Sequence, residues 1–68
     1  MNVNAGTFWM HLKTGHLYVI TGHCIIEATV TGAVLYRRAE EPEGLIWCRP
    51  IDEFMDGRFV SAEYPHEH

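Results

Sequence analysis

An indole, a guanidinium and two carboxylates fall within one short run, Trp47-Cys48-Arg49-Pro50-Ile51-Asp52-Glu53-Phe54. Aromatic faces beside a planar guanidinium bind nucleobases, phosphates or peptide segments. Trp47 and Arg49 are therefore the first candidate binding residues, joined by Tyr36 and Tyr18 as further aromatic walls. Trp9 belongs to the same aromatic set, although in so short a chain each large ring is also needed for the core. Arg49 has a second use, an ion pair with Asp52 or Glu53 that ties a helical turn to the strand before it. His11 and Lys13 stand two apart, which places them on one face of a strand. A local basic spot of Arg37-Arg38, Arg49 and Arg58 suits a small anion or an acidic patch on a partner.

Other chemistry is poorly served. Cys24 and Cys48 sit inside apolar runs with no Cys-x-x-Cys spacing and no recognisable base. Both read as free, buried thiols. No serine lies in a nucleophile elbow and no phosphate loop is present. Asp52 and Glu53 are adjacent, so their side chains diverge. The five histidines form no metal-ligand pattern, and His66 and His68 suit only adventitious binding on a loose tail. We expect no catalytic residue, no specific metal and no cofactor.

The elements that carry these residues are short and β-rich. Valine, isoleucine, threonine and aromatics dominate, with glycines at short intervals. Residues 7–12 read as a first strand and Thr14-Gly15 as a turn. Residues 16–21 form a second strand, with Gly22 at a bend or bulge. Residues 24–30 either continue it or form a new strand. Thr31-Gly32 reads as the hairpin turn into 33–38, and 40–44 as a solvated loop. Residues 45–49 make the next strand. Pro50 ends its pairing and opens a helical turn over 51–55, whose acidic residues sit at the favourable end. Asp56-Gly57 turns the chain into a last strand, 58–62, and 63–68 reads as a frayed tail. Five to six short strands with one helical turn before the last describe an all-β, SH3-like barrel, a single domain over 1–68 with its core at about 6–62.

The chain carries 68 residues and a formal net charge of −4. Residues 1–35 hold only Lys13 and Glu27 as charged groups, so the acidity lies in the second half. That balance argues against a nucleic-acid footprint. No apolar run approaches the ~20 residues of a membrane span, and no leader pattern opens the chain, so a cytoplasmic location is expected. A domain this small often gains stability by self-association, which makes a homo-oligomer an open expectation.

Trp9, His11, Lys13 and Gly15, then Tyr18 and Ile20, then Val34 and Tyr36, then Trp47, Arg49, Pro50 and Phe54 follow an ordered pattern. In these residues the chain resembles the domain of unknown function 1653 family, small bacterial and phage proteins. The resemblance covers about residues 6–60, with Trp-x-Arg-Pro-x-x-x-Phe its most specific part. It departs at Lys13-Thr14-Gly15, one residue longer than the family's Lys-Gly, and at Ile20, where valine is usual. The resemblance implies an SH3-like barrel and no activity. It also implies a phage or bacterial accessory or inhibitor protein, working in the host cytoplasm if phage-encoded. We expect a non-enzymatic module that docks on a host protein through an exposed barrel face. The alternatives are a homo-oligomeric binder of a nucleotide-like anion and, behind it, an RNA-binding barrel.

Overall fold

A computed structural model describes residues 3–63. Five strands and one short helix follow one another: β1 (Phe8–His11), β2 (Leu17–Ile26), β3 (Thr31–Arg38), β4 (Trp47–Pro50), α1 (Ile51–Phe54) and β5 (Phe59–Ala62). All pairings are antiparallel, in the order β4-β3-β2-β1-β5. This is the small all-β domain expected, with its single helical turn just before the last strand.

Two strands are longer than expected. Cys24–Ile26 continue β2, and the strand keeps going because a bulge between Ile20 and Gly22 absorbs one residue. The β2–β3 turn is Glu27–Val30, not Thr31-Gly32, which lie in β3 opposite Ile26 and Ile25. Val30 supplies the turn's left-handed residue, at φ 52°, a conformation usually signalled by glycine or asparagine. Gly32 is small for another reason. A Cβ there would stand 3.0 Å from Ile51 Cδ1, so the missing side chain makes room for α1 to pack on β3. At the opposite end, β4 starts at Trp47, leaving Leu45 and Ile46 outside the ladder. Pro50 pairs with Ala33 as the last strand residue and then caps α1, so the helix opens at Ile51.

The core is aromatic. Trp9, Ile20, Val34, Tyr36, Phe54 and Phe59 form one buried cluster, with Val3, Tyr18, Ile51 and Met55 packed against it. Phe54 and Phe59 stack at 4.2 Å and 11°, while Trp9 and Tyr36 meet Phe54 edge-on at 5.4 and 5.2 Å. Both arrangements suit the ring quadrupole. The segment before β1 lies against the bulge, where Gly6 N–H donates to the Ile20 carbonyl at 2.8 Å. His23 Nε2 meets the Val3 carbonyl at 2.7 Å. Of the tail read over 63–68, Glu63 is exposed and outside any strand, and 64–68, with His66 and His68, lie outside the described residues.

Candidate functional site

Two groups of the expected binding residues assemble, each with one member against the Phe59 ring. The first gathers where β1 ends. His11 closes β1, Leu12 and Lys13 begin the turn that follows, and Leu12 N–H donates to the Arg58 carbonyl at 2.9 Å. This bond holds the start of β5 against the turn. His11, Leu12, Lys13 and Arg58 consequently line one cavity of about 480 Å³, within the size range of small-molecule sites. Lys13 reaches it from a turn, so the strand alternation expected to align it with His11 is not what brings the two together. The His11 ring is fixed on both sides, by Thr14 Oγ1 at 3.1 Å from Nδ1 and by the Phe59 ring at 4.9 Å. Arg58 Nε donates to Asp56 Oδ2 at 3.0 Å, and its backbone N–H donates to Asp56 Oδ1 at 3.2 Å. Asp56 thus aims the guanidinium and offsets one of the two formal positive charges. Gly57 makes that geometry possible, at φ 106° between the two residues.

The second group surrounds Arg49. Its Nε donates to the Tyr36 hydroxyl at 3.2 Å, its Nη1 to Glu53 Oε1 at 3.5 Å, and the guanidinium carbon lies 5.8 Å from the Phe59 ring centre. The hydrogen bond to Tyr36 holds the guanidinium above its ordinary pKa, helped by the charges of Tyr36, Glu53 and Asp56 and opposed by partial burial. Arg49 is therefore tied internally to β3 and α1. Tyr36 is 5% exposed and Tyr18 half-buried; their rings meet at 5.4 Å and both touch Phe59. Both tyrosine rings sit among the core aromatics, and Trp9 is buried there too, its Nε1 donating to Thr7 Oγ1 at 3.1 Å.

Trp47 stands apart from both groups. It is 47% exposed on the edge strand β4, directly after Leu45 at 71% and Ile46 at 53%. Three consecutive apolar side chains thus face water at a sheet edge. The sequence shows this run, which we read as one strand over 45–49; the ladder begins only at Trp47 and leaves Leu45 and Ile46 outside it.

The cysteines require a correction. Cys48 is exposed and Cys24 only partly covered. Their strand neighbours explain why. Cys24 opposes Ala33 and Cys48 opposes Leu35, whereas Val34 and Tyr36 carry the aromatic side of β3. Both thiols therefore stand on the sheet face turned away from that core, and their sulfurs are 3.8 Å apart. Partial burial, then the S–H···S contact with Cys48, push the Cys24 thiol above its ordinary pKa. With the two cysteines 24 positions apart in sequence, no spacing motif could reveal this pair.

Among the described residues, no three His, Cys, Asp or Glu side chains converge as a metal-holding group, and no helix is long and apolar enough to cross a membrane. Comparisons with protein-family models, curated proteins and solved structures gave no match.

Proposed function

We propose that this chain is a small non-enzymatic interaction module that docks on another protein along β4. The observation that carries this reading is the exposed run Leu45-Ile46-Trp47 at the sheet edge. Exposed apolar residues in a row mark contact surfaces, and a tryptophan is a favoured anchor at the centre of an interface. Beside Trp47 in the chain, the Arg49–Glu53 pair offers a polar rim, and Asp52 adds acidity suited to a basic partner. The reading keeps the chain as kin to the domain of unknown function 1653 family, on Trp47, Arg49, Pro50 and Phe54, and keeps a bacterial or phage setting with it. The test compares the parent and Trp47→Ala as immobilised baits. A stoichiometric protein partner held by the parent and lost by W47A, with unchanged circular dichroism, supports docking. A parent that retains no stoichiometric partner counts against it.

A second reading is favoured by the cavity of His11, Lys13 and Arg58. Two cations and an imidazole around a space of about 480 Å³ suit a small anion such as a nucleotide phosphate. A subunit junction would enclose such a ligand better, so a homo-oligomer belongs to this reading. Light scattering on the eluting protein and a thermal-shift screen with nucleotides test it. A monomer whose melting no nucleotide moves would remove it.

A further inference from the structure

We infer that Cys24 and Cys48 form an open two-thiolate site for a thiophilic cation of the zinc and cadmium class. The inference rests on the sulfur spacing and on which strands carry the two residues. The sulfurs lie 3.8 Å apart on one sheet face. Two metal–sulfur bonds of about 2.3 Å meeting at a tetrahedral angle span about 3.8 Å. The sulfur spacing therefore matches the bite of a tetrahedral metal.

The competing fate of two close thiols is a disulfide, and the topology opposes it. β2 and β4 are not neighbours; β3 runs between them. Strands one apart are about 4.8 Å from each other, so these backbones stand roughly 9–10 Å apart. A disulfide needs Cα atoms within about 7 Å. Leaning side chains bring the sulfurs into contact, but drawing them to bonding distance would pull two strands together across a third. Inserting one atom between the sulfurs removes that demand. Ala33 and Leu35 are the intervening β3 residues on this face, and Ala33, with its single methyl, is fully buried.

Binding involves no electron transfer. Each thiol releases its proton to solvent and donates a sulfur lone pair to the cation. Cys48 is exposed, so the two remaining tetrahedral positions open to water, exchangeable thiols or the same pair on a second copy. This distinguishes the site from a closed structural zinc centre, which takes all four ligands from the protein.

The probe is Cd²⁺ alone, added to the reduced full chain and followed by thiolate-to-metal charge-transfer absorbance. We expect saturation at one ion per chain, or one per two chains if two pairs share an ion. Cys24→Ser and Cys48→Ser should each weaken binding by about tenfold or more. The double variant His66→Ala/His68→Ala should match the parent, which separates the site from tail histidines. Circular dichroism establishes that each serine variant is folded, and Cys48→Ala at the exposed position is the substitute if C48S is not. Either serine variant binding Cd²⁺ like the parent would overturn the inference. So would ready formation of an intrachain Cys24–Cys48 disulfide under mild oxidation, seen as a mass loss of two hydrogens in the monomer.

Discussion

Phe54 is where the sequence and the core depend most closely on one side chain. It ends α1, it is fully buried, and it contacts Trp9, Tyr36 and Phe59. Phe54→Ala leaves a cavity among three rings, which the neighbours can close only by giving up their edge-on and stacked geometry. Buried phenylalanine truncations cost about 3–5 kcal/mol. At roughly 0.05–0.15 kcal/mol per residue, a domain of this length has about 3–10 kcal/mol in total. F54A therefore removes from a third to all of the stability. For a domain this small, 1 kcal/mol moves the melting midpoint by about 4–8 °C, so a loss near 4 kcal/mol lowers it by roughly 16–32 °C. Phe54→Leu keeps part of the volume and should cost about 2 kcal/mol at ~0.8 kcal/mol per carbon removed. Urea unfolding followed by tryptophan emission measures both variants, because Trp9 is 5.4 Å from the ring that is removed. Parent and F54A unfolding free energies within about 1 kcal/mol of each other would refute the placement of Phe54 at the centre of the core.

Four further outcomes can be checked. Trp47→Ala should change stability by no more than ~0.5 kcal/mol, as an exposed position does, and a larger loss in a melting scan would contradict its exposure. Tyr36→Phe removes the acceptor of Arg49 Nε and should cost about 0.5–1.5 kcal/mol, because a partly exposed guanidinium can turn to water; an unchanged urea midpoint would deny that bond any role. Val30→Asn should raise the melting midpoint, since a β-branched residue at φ 52° carries a cost of about 1–2 kcal/mol that asparagine mostly avoids, and a lower midpoint would argue against the turn at Glu27–Val30. Iodoacetamide should label Cys48 before Cys24. A raised pKa keeps Cys24 as the neutral thiol at neutral pH, and its labelling should accelerate only as pH climbs past the ordinary thiol value; peptide mass mapping showing Cys24 modified first would reverse the assignment.

Much of the fold was legible because its punctuation is local. Gly15 and Gly57 both adopt positive φ at the turns their positions suggested, and Pro50 stands where strand gives way to helix. The β2–β3 turn escaped notice because its left-handed residue is a valine, while the nearby glycine serves packing against Ile51. Of the site, His11, Lys13 and Arg58 were legible as chemistry but not as neighbours. Their meeting depends on β5 pairing with β1 from the far end of the chain. The exposure of the cysteine pair was invisible for a different reason, since burial on a strand follows the face and not the hydrophobicity of the run. Leu45 and Ile46 show the converse, an apolar run that the fold leaves outside its ladder.

The pairing of β1 with β5 also sets an order of events. Trp9 faces Ser61 across about fifty residues of chain, whereas β2 and β3 meet through the four-residue turn Glu27–Val30. Closing a loop that long is entropically unfavourable until other contacts exist to reward it, so the β2–β3 hairpin is the natural nucleus and β5 docks late. Phe59 arrives with β5, and with it come the ring contacts to His11 and to Arg49. Substitutions in β5 should accordingly speed unfolding while leaving the refolding rate nearly unchanged. The basic cavity then exists only once the final strand is home, so its occupancy reports completion of folding rather than collapse.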